Sequence, residues 1–394
     1  MNKQQKLAPK PLIIIFILVI FLLTACGTRV ANNNWPGMTA DENSVVYVAY
    51  GPGVIAVDLD SREQLWDYTP PEANASLQFF ASPDVKDGQL VFGDYGASGG
   101  LLNPRVKVTF YSLEELLGSN PVTSWTQSEV AQDRIVAQAL LLEDRVIVGT
   151  ADNIVLALDR ESGRPLWNDP FEAGHSIWGQ SAYEGDIVYV PSLDKSVYAL
   201  DIESGKPLWS TDVGGSVSDK VVLNGDLLYV GSFDSNAYAL EKSSGEIRWK
   251  AQAEGSVWGA PAYAEDVVYY GDLSGNVYAV GAKGGESIWE KATGEYLVAA
   301  PVVEDGVVYI AGAGNSELDP AERNGTLYAF SAETGDELWS KDFLLSPLFT
   351  TPVIVDGSIV VAMQTADQPL ILEVMNLDDP NNSWTFTPEI PEEG

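Results

Sequence analysis

Val188-Tyr189-Val190, followed by Val197-Tyr198-Ala199-Leu200-Asp201, Gly205 and Trp209, is rewritten forty residues later as Leu228-Tyr229-Val230, Ala237-Tyr238-Ala239-Leu240-Glu241, Gly245 and Trp249. Tyr189, Tyr229, Tyr269 and Tyr309 keep the same period of 40, and self-similarity at a fixed period of this size marks an array of supersecondary units. The unit Ala-Leu-Asp-x-x-x-Gly-x-x-x-Trp returns, with conservative changes, at 157–167, 279–289 and 329–339, and at 56–66 with Arg62 in the glycine place. Two degenerate copies end at Trp125 and Trp384, which brings the count to eight.

Each unit carries four short strand signals separated by turn residues, for example 260–263, 267–270, 277–280 and 287–291. The glycine four residues before each Trp supplies a left-handed turn between the third and fourth strands, a conformation bulky residues adopt only at a cost. Arg62 is therefore expected to force a different turn. From Trp35 to Thr387 the eight units average about 44 residues, the length of a four-stranded propeller blade. The expected fold is all-β, an eight-bladed β-propeller at 35–388. Ring closure leaves only short outer edges and keeps so apolar a chain in solution. Trp66, Trp125, Trp167, Trp209, Trp249, Trp289, Trp339 and Trp384 are read as structural. Each is expected at the end of an outer strand, packed on the neighbouring blade.

The 394 residues hold 22 Lys plus Arg against 56 Asp plus Glu, a formal charge of −34, with one His and one Cys. Such a surface cannot neutralise a phosphate backbone, which excludes nucleic acid as a partner. At 45% hydrophobic, with 11 Trp and 17 Tyr, the chain has too much apolar material for a disordered acidic polymer. One Cys makes neither an intramolecular disulfide nor a thiolate cluster. Lys3, Lys6 and Lys10 precede an apolar run at 12–23, too short to span a bilayer and right for the core of a signal peptide at 1–25. Leu23-Thr24-Ala25-Cys26 resembles the bacterial lipobox, so Cys26 is the expected lipid attachment site. Cleavage there leaves 19 cations against 56 acids, a net −37. Residues 26–34, with three consecutive Asn, read as a flexible tether, and 389–394 as an acidic tail.

The repeat resembles that of the PQQ-like (quinoprotein-type) propeller family over nearly the whole mature chain. With a lipobox in front of it, the layout is similar to that of the BamB family of outer-membrane assembly lipoproteins. That resemblance implies a non-catalytic scaffold in the cell envelope, lipid-anchored and extracytoplasmic. It would sit on the periplasmic side in a cell with two membranes and on the surface otherwise. It implies a monomer within a larger complex, binding envelope protein through one face, and no cofactor. Two alternatives stay open. One is a PQQ-dependent quinoprotein dehydrogenase, whose family places an anionic quinone over a Trp floor beside Ca²⁺ ligands and commonly a vicinal disulfide, which this chain lacks. The other is a surface propeller that binds a ligand or polysaccharide.

The loops from second to third strand share a face with the links to the next blade. Three are long: 95–105, 312–325 and 364–369, in blades that form one arc of the ring. On the same face Trp35, Trp178 and Trp258 stand at the start of first strands, with Ser218 and Val298 at equivalent places. They are the expected lining of a funnel mouth suited to an apolar or peptide-like ligand. His175 has no partner for a catalytic role, and no Gly-x-Ser-x-Gly, His-Glu-x-x-His, Walker or EF-hand motif is present. Asp58-Leu59-Asp60 and Asp378-Asp379 lack the spacing of a calcium loop.

Overall fold

The computed structural model describes residues 35–71, 77–96, 108–116, 119–315, 317–318, 322–365, 368 and 370–388. The expected signal peptide, Cys26, the tether, the acidic tail and most of the 95–105 loop lie outside them.

Valines and tyrosines alternate in the second and third strands because both faces of every sheet are buried, a pattern that reads as almost unbroken apolar sequence. In blade 4, Val188, Val190 and Leu200 pack on Ile147 and Val155 of blade 3. Tyr189, Val197 and Ala199, one residue out of phase, pack on Leu228 and Val230 of blade 5. A blade buried this way has no stable existence alone and must be stacked on two neighbours. Eight four-stranded antiparallel sheets result, spanning 37–68, 84–127, 140–172, 182–212, 222–252, 262–292, 302–343 and 353–386. Each sheet runs in strict chain order from first to fourth strand. The first strand of blade 1 touches the first strands of blades 2 and 8, so the eight inner strands surround one axis and the ring is an eight-bladed β-propeller.

No strand is exchanged at closure: blade 8 is complete from 353–386 alone. Side chains hold the seam. Met38, Val46, Val48, Ile55 and Val57 bury against Val360, Leu370, Leu372 and Val374. Ser44 Oγ donates to Asp356 at 3.2 Å, and Thr350 Oγ1 donates to the Pro36 carbonyl at 3.1 Å.

The repeated tryptophans face the following blade. Trp125, Trp167, Trp209, Trp249 and Trp289 each donate Nε1–H to a backbone carbonyl there, on Arg160, Ile202, Lys242, Ala282 and Ala332, at 2.8–2.9 Å. Tyr189, Tyr229 and Tyr269 send their hydroxyls to the last three of these carbonyls at 3.2–3.4 Å. One acceptor thus takes a donor from two strands of its neighbour. Trp66 and Tyr47 of blade 1 find no such carbonyl and share the carboxylate of Glu115 at 2.9 and 2.8 Å.

Two expectations need correction. Trp209 is not at the end of its strand but inside Pro207–Asp212, paired with Ala199, and Trp167 precedes its two-residue outer strand Phe171–Glu172. The indole must sit mid-sheet to reach the next blade's turn. Arg62 does not change the turn: its φ is 61°, against 67° for Gly205. The glycines are needed less for φ than for approach, since a Cβ on Gly205 would stand 2.5 Å from the Trp167 ring. At the closure seam the Arg62 guanidinium lies 5.2 Å over the Trp384 ring instead, a cation–π contact that replaces the glycine backbone.

One carboxylate is set into a seam at some cost. Asp84 in the first strand of blade 2 accepts the Leu141 N–H of blade 3 at 2.6 Å, and burial pushes its pKa up to about 6 from 3.8. The raised value means the folded chain prefers the neutral acid. This group therefore favours folding fully below about pH 4, and that contribution is lost as pH rises through 6. Asp84→Asn should gain up to about 2–3 kcal/mol over the parent at pH 8 and nothing at pH 4, read as the difference in urea unfolding free energy. A constant difference across that range would contradict the assignment.

Candidate binding face

The links between blades run under the loops that join second to third strands, so both lie on one face. Val217 N–H donates to Ser192 O at 3.1 Å, Phe233 to Ser216 at 3.0 Å, Val257 to Ser232 at 3.1 Å and Leu273 to Ser256 at 3.0 Å. Carboxylates lock this weave. Asp194 Oδ2 accepts from Gly174 N–H and from Tyr198 OH, both at 2.6 Å. Asp272 Oδ2 accepts from Gly255 N–H at 2.8 Å and Tyr278 OH at 2.9 Å, and Asp234 takes the Tyr238 hydroxyl at 2.6 Å. Burial first, then the neighbouring carboxylate, raises the pKa of Tyr198 and Tyr238. Several acids of this face are therefore structural clamps. The sequence held the signal, Asp-x-x-x-Tyr at 194–198 and 234–238, but it reads as ordinary strand entry until the loop is seen folding over the link.

Sheet register brings eight equivalent positions together around the axis. Counting four residues back from the first-strand residue that pairs at the Tyr189 level gives Trp35, Phe80, Val136, Trp178, Ser218, Trp258, Val298 and Phe349. In seven of the blades the residue just before is a buried Phe, Ile, Val or Leu, and the ring residue itself is half-buried in six cases. Trp35 is 39% exposed and Ser218 is buried. Alternation explains this: with its neighbour turned into the blade junction, the ring residue faces the other way and stays partly exposed. Trp35 packs on Phe349 at 6.3 Å, Phe80 on Tyr95 at 4.7 Å and Trp258 on Phe233 at 5.0 Å, while Ser218 Oγ donates to the Trp258 carbonyl at 2.9 Å. Trp178 and Trp258 stand in links, four residues before the first strands Ala182–Glu184 and Ala262–Ala264, not in the strands themselves. Phe80, Val136 and Phe349 are ring positions that the repeat spacing does not single out.

The result is an apolar collar: three Trp, two Phe and two Val around a single Ser. An amphipathic aromatic surface of this kind takes apolar or peptide-like material and offers little to a small anion. A tri-carboxylate quinone needs converging cations, and no ring position carries one. Lys220, two residues on from Ser218, and Lys195 in the loop of blade 4 are separate exposed amines, and Arg134 is stacked 5.0 Å over Tyr95. The collar does not fit that cofactor. His175 is exposed on the same face, its Nδ1 accepting the Ser176 N–H at 2.8 Å. Asp58 Oδ1 caps its own turn through Asp60 and Ser61 N–H groups at 2.8 and 3.1 Å, and Asp378 and Asp379 N–H groups donate to Asn376. Among the described residues no group of three or more His, Cys, Asp or Glu is arranged to hold a metal ion. On the opposite face a groove between blades 3 and 4 is lined by Glu143, Asp144, Asp186 and Glu203. Its buried Arg145 pairs with Asp144 and Glu203 at 2.8 Å, which makes the groove an ion-pair seam. The long loops at 312–325 and 364–369 are described only in part.

Comparison with known proteins follows the same lines. A family profile described as outer membrane protein assembly factor BamB matches residues 24–250, 151–312 and 301–392. Among curated proteins none matches the sequence. Among solved structures the chain is similar to BamB from Moraxella catarrhalis, with a TM-score of 0.60, 18% identity, and 80% of this chain and 90% of that one covered. It is also similar to the computationally designed protein Ika8, with a TM-score of 0.68, 16% identity, and 88% and 98% covered. At these identities the structural likeness concerns the fold alone.

Proposed function

Because the chain belongs to the BamB family of outer membrane protein assembly factors, we propose that it is a non-catalytic scaffold of the cell envelope that holds a protein partner on the face bearing the apolar collar. The collar is the observation that carries this reading. It is a partly exposed aromatic surface around a closed axis, built on a rigid ring whose nearby acids are spent on structure. A rigid aromatic patch with a polar surround is the composition of an interface centre. The partner class is an envelope protein presenting an apolar or extended segment. The anchor is the lipid on Cys26, which keeps the propeller at the extracytoplasmic side of a membrane despite its charge.

Capture of the detergent-solubilised chain from its native membranes tests the scaffold. A defined envelope protein should be recovered with the parent and lost when Trp178 and Trp258 are both changed to Ala, with the unfolding midpoint little changed. Recovery undiminished by the double change would remove the collar from the interface. The anchor has its own test. Cys26→Ser should move the chain from the membrane fraction to the soluble fraction almost completely, since acyl chains contribute about 0.8 kcal/mol per buried CH₂. Membrane retention of the Ser variant would show that protein contacts hold it.

A further inference from the structure

Leu344 and Leu345, in the link that leaves the outer strand of blade 7, are 75% and 59% exposed, more than any other large apolar side chains among the described residues. Leu345 has a φ of 53°, a left-handed conformation that costs a bulky residue on the order of 1–3 kcal/mol and persists only where its surroundings impose it. The surroundings do. Asn324 Oδ1 accepts the Leu345 N–H at 2.9 Å, and the adjacent Arg323 donates Nε–H to the carbonyl of Leu318 at 2.9 Å. Leu318 is itself 44% exposed. Two consecutive residues thus fix the backbone at Leu318 and Leu345 on the tip of one blade, with the exposed Leu344 beside them. A strained, apolar and preset tip is the opposite of what a solvent-facing link needs.

Its place in the ring bears on what could cover it. The same link carries Phe349, five positions on from Leu344, and Trp35 packs on Phe349. Trp35 lies nine positions after Cys26, a reach of at most about 30 Å when extended and about 17 Å on average for a flexible chain. We propose that the Leu318, Leu344 and Leu345 tip leans on a zwitterionic lipid surface and sets the tilt of the propeller on its membrane. This rests on the reading of Cys26 as lipidated. Exposed Glu317, Glu322 and Asp342 flank the leucines, so anionic headgroups would push the tip away while neutral ones admit it.

The test uses the lipidated protein. Its Cys26 sulfur is a thioether, so Leu344→Cys introduces the sole free thiol, and the exposed Ser61→Cys, on a turn between third and fourth strands of the opposite face, serves as control. Each is labelled with an environment-sensitive fluorophore and reconstituted in phosphatidylcholine and phosphatidylethanolamine vesicles containing a spin-labelled lipid. The label at 344 should shift to the blue and lose about half its emission to the quencher, as expected within ~5–10 Å of the headgroup boundary. The label at 61 should do neither, and replacing a third of the neutral lipid by phosphatidylglycerol should weaken the effect at 344. An unquenched label at 344 on protein that floats with the vesicles overturns the proposal and leaves the lipid anchor standing. A blue shift seen in native membranes but not in pure lipid also overturns it and makes the cover a protein. Protein that does not float with the vesicles sinks the anchor and the proposal together.

Discussion

Trp249→Ala is expected to cost about 3–5 kcal/mol of unfolding free energy, the range for a large aromatic removed from a packed core. The indole is 7% exposed, lies 5.9 Å from the Tyr229 ring and donates to the Ala282 carbonyl at 2.8 Å. Gly285 closes over it so nearly that a Cβ there would stand 2.8 Å from the ring. The void cannot collapse, because the turn above it is held by its own backbone bonds: Gly285 N–H donates to Gly281 O at 2.8 Å. Trp249→Phe keeps most of the area and gives up only the N–H, so it should cost about 1–2 kcal/mol. Urea denaturation followed by fluorescence separates the two. If the Ala variant came within 1 kcal/mol of the parent, the blade junctions would not depend on these residues.

The second large effect is at Glu115. Its two oxygens take Tyr47 OH and Trp66 Nε1–H, both from buried residues of the preceding blade. Glu115→Ala leaves the buried indole N–H without its acceptor and leaves Tyr47 OH only the longer bond to Asp41 Oδ2 at 3.4 Å, and at about 1–3 kcal/mol for an unsatisfied buried donor it should lower stability by roughly 2–4 kcal/mol. Glu115→Gln retains an acceptor for the indole and should cost less than half as much. Hydrogen exchange would place the loss at the junction of blades 1 and 2. Equal effects of Ala and Gln would mean the carboxylate acts through charge and not as a paired acceptor.

The repeat was legible because burial on both faces of a blade leaves few residues that fit. Tyr189, Ala199, Leu200 and Trp209 each fill a fixed volume against a neighbour, and the next blade must present the same shapes. The collar was only half legible for a reason of chain length. Measured forward from the repeated Trp, its members lie at unequal distances, nine residues from Trp209 to Ser218 but fourteen from Trp66 to Phe80. Measured back from the second strand seven of the eight are in register: Phe80 lies eleven before Val91 and Phe349 eleven before Val360, as Trp178 lies eleven before Tyr189, while Trp35 lies twelve before Tyr47 because the first hairpin of blade 1 is one residue longer. Links vary freely on their outer stretch and are fixed where they enter the axis, and only the structure shows which end to count from. Arg62 misled in the opposite way. Its φ matched the glycines, and what differed was the contact above it, which depends on a residue 322 positions later in the chain.

Blade 8 borrows no strand from blade 1, and this governs the order in which the molecule can form. As the chain is delivered from its N-terminus, each sheet can complete its hydrogen bonds from residues already present, with local contacts that favour rapid formation. The newest blade, however, always shows one bare apolar flank until its successor arrives. The final step is a face-to-face docking of two finished ends, and until then the ring is an open arc with two sticky termini. A copy stalled at that stage has a complementary end on every other stalled copy. The seam of Arg62, Trp384, Ser44 and Asp356 therefore guards against end-to-end polymerisation as well as closing the circle.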